Sequence, residues 1–208
     1  MPNFWILSSA LVGYLLGSLP FGYLVARAHG VDIFKVGSGN PGATNVKRVL
    51  GAKAGNTVFA LDAVKGAVAA AWPLLPWVHG DAADGRLMGL IGVIAAVLGH
   101  SFSMFTKFKG GKGVATAAGG LVVLIPVACL IGSAVWVLTF FLSRYVSLGS
   151  VLAAIAVPAA SWLMGNPLSL NLVATALGLF VIIRHRENIK RLLSGTESKF
   201  VKKPRAQP

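Results

Sequence analysis

Residues Val114–Leu142 run for 29 positions without a charge. A membrane span needs roughly 17–25 mostly apolar residues, so this run is long for one crossing and short for two. Five other apolar runs accompany it: Phe4–Ala26, Ala54–Val78, Leu87–Phe105, Ser147–Met164 and Ser169–Ile183. Within the second, only Asn56, Thr57, Asp62 and Lys65 interrupt the apolar pattern. Charged residues make up 12% of the chain and hydrophobic ones 55%. The charged share is about half that of an average soluble protein, too little to cover a water-facing surface. The hydrophobic share excludes intrinsic disorder. The chain is therefore predicted to be an all-α integral membrane protein forming a single domain over residues 1–208.

Nineteen Lys plus Arg against six Asp plus Glu leave a net charge of +13. In a membrane protein such an excess marks the cytoplasmic side. No Lys or Arg precedes the first run, whereas residues 27–53, 106–113 and the tail from 184 are basic. The N-terminus is thus predicted outside and the C-terminus in the cytoplasm. Parity then bears on the long run. One crossing at 114–142 would carry both Arg144 and the basic tail outside, if 147–164 and 169–183 each cross. Two short crossings, broken near Pro126, Gly132 or Ser133, keep both inside. This favours seven spans, with five as the alternative. Residues 197–208 are predicted to be a polar tail, frayed at Lys202–Pro208.

Several motifs lack the context their chemistry needs. Gly37-Ser38-Gly39-Asn40-Pro41-Gly42 fits G-x-G-x-x-G, with Asp62 at a dinucleotide-like distance, but a membrane run precedes it and no βαβ unit follows. The His79–Asp84 spacing falls in the predicted external loop, away from the basic segments. Lys109–Gly113 lacks the Ser/Thr ending of a P-loop. Cys129, the single cysteine, excludes an internal disulfide and a Cys-rich zinc site, and no ionisable neighbour activates it. No metal or other cofactor is expected.

Three segments on the predicted cytoplasmic side suit anions. In the first, Gly37, Gly39, Gly42 and Ala43 let backbone N–H groups converge, and Ser38, Asn40, Thr44 and Asn45 add short polar side chains. A helix starting after Pro41 would add its N-terminal amides, and Arg48 a full charge. The second carries His100, Lys109, Gly110, Gly111, Lys112 and Thr116. The third, if helical, aligns Arg184, Asn188 and Arg191 on one face beside His185. The plain alternatives are a turn, a topology-setting loop and a lipid-binding tail. Asp62 and Lys65, at i and i+3 within a span, are predicted to form a buried ion pair.

The motifs Gly37–Asn45, Leu61-Asp62-Ala63-Val64-Lys65-Gly66, Phe108–Thr116 and Arg184–Glu197 occur in that order, after Tyr14–Ser18. In this combination the chain resembles the bacterial acyl-phosphate:glycerol-3-phosphate acyltransferase family over nearly its whole length. The resemblance implies a seven-helix inner-membrane protein with a cytoplasmic active site. It implies transfer of a fatty acyl group from acyl phosphate to the 1-hydroxyl of sn-glycerol 3-phosphate, giving lysophosphatidic acid and phosphate. It assigns the 37–45 loop to the acyl phosphate, and Ser38, Arg48, Lys112, His185 and Asn188 to glycerol 3-phosphate and catalysis. Asp62, Lys65, His100, Lys109, Gly110, Gly111, Thr116 and Arg184 stand as supporting residues. The base is either His185 or a substrate phosphate. Beyond these substrates and membrane lipids, neither nucleic acid nor an obligate protein partner is expected. A transporter or binding protein for a phosphorylated metabolite is the rival reading; the inverted repeat it would be expected to show is not visible.

Overall fold

The computed structural model describes residues 2–75, 78 and 82–200, and among them there is no β-strand. The His79–Asp84 spacing and the end of the polar tail lie outside what is described. Among these residues ten α-helices follow in order. They are α1 (Pro2–Ser18), α2 (Phe21–Ala28), α3 (Ala43–Leu50), α4 (Ala52–Ala71) and α5 (Ala82–Ser101). Then come α6 (Val114–Leu124), α7 (Pro126–Ser143), α8 (Val146–Leu163), α9 (Leu168–Arg184) and α10 (Arg186–Leu193).

Among the described residues, five stretches are long and apolar enough to cross a membrane: Phe4–Ala28, Ala52–Leu74, Gly85–Thr106, Pro126–Ser143 and Val146–Leu163. A sixth exists if α9 and α10, bent by 59° at their junction, count together. The 114–142 run does break, and it does so at its proline. Ile125 leaves helical geometry at φ −139°, ψ 64°, and Pro126 opens α7, where its missing N–H costs no helical bond. Gly132 and Ser133 lie inside α7. The eleven-residue α6 is shorter than a bilayer core.

Helices in lipid gain little from mutual apolar contact and instead pack where small residues let backbones approach. Gly66 of α4 shows this: a Cβ there would stand 2.0 Å from the Thr116 carbonyl oxygen of α6. Helix α1 packs on α5, α4 on α5 and α6, α7 on α8, and α8 on α9. Large side chains such as Leu7, Leu130, Leu138, Leu142 and Leu163 cover the outside.

The predicted Asp62–Lys65 pair is present inside α4, with Nζ 2.8 Å from Oδ1 and both side chains buried. Lys65 also donates to the Leu19 carbonyl at 2.9 Å, which ties α4 to the break between α1 and α2. At the same end of the bundle Tyr14 donates to the Phe102 carbonyl and Arg48 to the Ser198 carbonyl. With Lys112 reaching Asn188, the three basic segments converge on one end of the bundle.

Candidate active site

The first segment folds on its own amides. Gly37 stands at φ +60°, a backbone that favours glycine, and a Cβ there would meet Asn45 Oδ1. That oxygen accepts the Ser38 N–H at 2.9 Å, while Asn45 Nδ2 donates to the Val36 carbonyl at 3.1 Å. Asn40 Oδ1 accepts the Gly42 N–H at 2.8 Å. These bonds present the start of α3, whose N-cap Gly42 offers no side-chain acceptor. The Asn45 N–H turns back to the Gly42 carbonyl at 3.0 Å, which leaves the Ala43 and Thr44 amides as the ones suited to an anion.

Lys112 reaches Asn188 Oδ1, joining the second segment to the third. The Asn188 amide passes the connection on, donating through Nδ2 to Glu197 Oε1 at 2.7 Å. Glu197 also accepts from Ser147 Oγ at 2.7 Å and from Arg191 Nε at 2.7 Å. Burial alone would raise the Glu197 carboxyl pKa; the bonds from Asn188, Ser147 and Arg191 overcome this and lower it. Burial pushes the Lys112 ammonium down to about 8; Glu197 opposes that shift, while Arg191, Arg184 and Arg48 add to it. The His185 ring is buried, and its Nδ1 lies 2.8 Å from the Val181 carbonyl. A carbonyl only accepts, so Nδ1 carries the proton and Nε2 the lone pair in the neutral ring.

These groups surround a cavity of about 160 Å³. Ser38, Asn40, Gly42, Ala43, Thr44 and Asn45 line one side, with Arg48, Lys112, His185 and Asn188 around them. Asp62 and His100 reach it from α4 and α5. Gly37, Gly39, Lys65, Lys109, Gly110, Gly111, Thr116 and Arg184 are not among its lining residues. Lys109 is exposed to solvent. The expected common face of Arg184, Asn188 and Arg191 is corrected: α9 ends at Arg184 and the chain bends before α10. Arg184 turns away to donate to the carbonyls of Gly111 at 3.0 Å and Gly110 at 3.4 Å. Glu197, the first residue of the predicted polar tail, is buried in the site.

Sequence reasoning left Glu197, Ser147, Ser150, Trp136 and Phe59 out of the site. Glu197 had a signal, as the last residue of the matching Arg184–Glu197 segment. The others had none. A second, apolar cavity of about 320 Å³ shares Phe59, Val114, Ala115, Trp136 and Ser150 with the first. It continues between α6, α7, α8 and α9 past Ala118, Cys129, Val157 and Ala174.

A cationic cavity of fixed donors opening into an apolar groove, within a bundle of membrane-length helices, defines an integral membrane protein for an amphiphile with an anionic head. The sequence profile described as glycerol-3-phosphate acyltransferase matches residues 7–195. A glycerol-3-phosphate acyltransferase of Aquifex aeolicus (strain VF5) is 44% identical over 190 residues, covering 91% of this chain and 96% of that protein. That of Bacillus subtilis (strain 168) is also 44% identical over 190 residues, covering 91% and 94%. The crystal structure of PlsY (YgiH), an integral membrane glycerol 3-phosphate acyltransferase, in its glycerol 3-phosphate form superposes with a TM-score of 0.87 at 41% identity, covering 94% of this chain and 96% of that one. Its lysophosphatidic acid form gives 0.84. The chain belongs to the glycerol-3-phosphate acyltransferase family, and it is a membrane acyltransferase.

Proposed function

We propose that the chain transfers a fatty acyl group from acyl phosphate to the 1-hydroxyl of sn-glycerol 3-phosphate, releasing phosphate and 1-acyl-sn-glycerol 3-phosphate. The observation that carries this reading is the junction of the cationic cavity with the apolar groove, because the reaction must hold two anions and one long chain at a single carbonyl. The PlsY structures in glycerol 3-phosphate and lysophosphatidic acid forms support it at 41% identity.

In this reading the 37–45 loop and the start of α3 hold the acyl phosphate's phosphoryl group, and its chain lies in the groove. Ser38, Arg48, Lys112, His185 and Asn188 hold glycerol 3-phosphate. The 1-hydroxyl oxygen attacks the acyl carbonyl, and the carbon–oxygen bond to phosphate breaks. The hydroxyl proton passes to the departing phosphate or to His185 Nε2. A mixed anhydride is already activated, so alignment of the two substrates and charge stabilisation are the main demands on the protein. Replacing His185 by Ala separates the two proton acceptors: near-normal turnover at saturating glycerol 3-phosphate excludes the imidazole as the essential base.

The same reading takes α1 with α2, α4, α5, α6, α7, α8 and α9 as seven membrane helices, α6 being the one short crossing among them. The N-terminus is then outside and the site in the cytoplasm of a bacterial inner membrane. The grouping of the basic segments at one end supports this. A reporter fused after Arg144 is expected to signal from the cytoplasm; an external signal defeats the seven-helix arrangement.

The reaction itself is tested with purified protein and palmitoyl phosphate. Phosphate release that depends on glycerol 3-phosphate, with lysophosphatidic acid as co-product, is expected. Absence of both defeats the reading.

A further inference from the structure

We propose that His100, held by Asp62, is the positioning residue that sets where the Lys112 ammonium stands in the cavity, acting through the backbone of Gly110 and Gly111. The inference rests on the reading of Lys112 as a glycerol 3-phosphate contact.

His100 sits in the last turn of α5, its side chain largely buried. Its Nδ1 lies 3.5 Å from Asp62 Oδ1, the oxygen that also holds Lys65. Asp62 thus faces two ways: Lys65 braces the bundle, and His100 carries the carboxylate's influence to the loop. The far edge of the imidazole lies against Gly111. A Cβ at Gly111 would stand 2.1 Å from His100 Nε2 and 2.8 Å from Cε1. The His100 carbonyl accepts the Gly111 N–H at 3.2 Å, and a Cβ at Gly110 would stand 2.1 Å from that same oxygen. The loop therefore rests on His100 through ring and backbone together, with no space for a side chain between them.

Other groups hold the loop from other directions. Arg184 donates to the Gly110 and Gly111 carbonyls, and its guanidinium lies 5.3 Å from the Phe102 ring centre. Thr106 Oγ1 donates to the Lys109 carbonyl at 2.6 Å. Residues 109, 110 and 111 are thus pinned in succession, and the next residue is Lys112. An ammonium on a flexible four-carbon stem gains affinity for phosphate only if its root is fixed. Removing the shelf leaves the charge in place but loosens where it sits. That predicts weaker capture of glycerol 3-phosphate with little effect on acyl phosphate, which the 37–45 loop binds.

The test is a set of double-mutant cycles read in KM for each substrate separately. His100→Ala is expected to raise KM for glycerol 3-phosphate about tenfold and to leave KM for palmitoyl phosphate within about twofold, since contacting residues couple and distant ones do not. Gly111→Ala, which drives a methyl into the imidazole, is expected to raise the same KM by at least as much. With the ring removed the clash is gone, so Gly111→Ala/His100→Ala should be no worse than Gly111→Ala alone. Asp62→Asn, which also strips Lys65 of its partner, should raise this KM by a smaller factor in His100→Ala than in the wild type. If Gly111→Ala fails to fold, His100→Gln, which retains a hydrogen-bonding amide, should fall between wild type and His100→Ala. Multiplying effects in the cycles, or equal rises in both KM values, overturn the proposal. An unchanged KM for glycerol 3-phosphate in Lys112→Met instead defeats the reading of Lys112 on which it rests.

Discussion

The two compartments that meet at Phe59, Val114, Ala115, Trp136 and Ser150 are built on opposite plans. The polar one is assembled from loops, the short helices α3 and α10, the ends of longer helices and the segment after α10. Its bonds join residues far apart in sequence, such as Lys112 with Asn188, Ser147 with Glu197 and Arg48 with Ser198. The apolar one is a space between four regular helices, floored by small residues such as Ala118, Ala153 and Ala174. Anion capture needs donors at fixed points, because a charge in a cavity is worth most when its partners are preorganised. An alkyl chain needs only space free of water, since the hydrophobic effect has no direction. Substitutions should therefore act steeply in the first compartment and in proportion to size in the second.

The sharpest way to break this contrast is Lys112→Met. Loss of one charged, preorganised donor is expected to lower kcat/KM for glycerol 3-phosphate by about 10²–10³-fold, without changing the ranking of acyl chain lengths. A fall below about tenfold would place Lys112 outside the phosphate contacts.

The pH dependence sharpens the same point. The Lys112 pKa is lowered to about 8, so its positive charge is present below that pH and lost above it. In the free enzyme, kcat/KM for glycerol 3-phosphate should fall about tenfold per pH unit above this point, because that ratio reports free-enzyme groups. Lys112→Arg keeps its charge throughout and should flatten the alkaline limb, even if it lowers the plateau.

The groove is addressed by Ala118→Phe. A phenyl ring in the groove displaces methylenes of the bound chain at about 0.8 kcal/mol each, so KM for palmitoyl phosphate should rise about tenfold or more. KM for butyryl phosphate and for glycerol 3-phosphate should stay within about twofold of wild type. Equal effects on long and short donors would mean that the chain lies elsewhere. The smallest effect is expected outside both compartments. Glu187 and Lys190 form an exposed pair at 3.5 Å, and Glu187→Gln should change stability by less than about 0.5 kcal/mol and activity by less than twofold.

Legibility in sequence divides along the same line. The polar compartment announces itself because converging amides need Gly and Ala, and anions need Lys and Arg. Gly37–Asn45, Lys112 and the His185–Asn188 pair stand out for that reason. The Asp62–Lys65 pair is legible because a span tolerates charge only when it is partnered. The break in the 114–142 run is legible at Pro126, where the residue itself removes a helical donor. The bend at His185 is not, since neither Gly nor Pro marks it. There, tertiary contacts override local pattern: Arg184 is drawn to the Gly110 and Gly111 carbonyls while α10 carries Asn188 to Lys112. Glu197 reads as one acid in a basic tail. Its burial depends on donors at 147, 188 and 191 that only the fold brings together. The groove is silent in sequence because any lipid-embedded helix supplies Ala, Val and Leu.

The claim that both compartments form one site is tested most directly by photo-crosslinking. A lysophosphatidic acid with a diazirine in mid-chain would be bound to the purified protein, irradiated and mapped by peptide mass spectrometry. Labels at Leu121, Cys129 and Ala174, which line the groove, are expected to be suppressed by glycerol 3-phosphate if the two cavities hold the product's chain and head as proposed. Labelling confined to outward-facing residues such as Leu130, Leu138 and Leu142, or labelling indifferent to glycerol 3-phosphate, would contradict a single joined site.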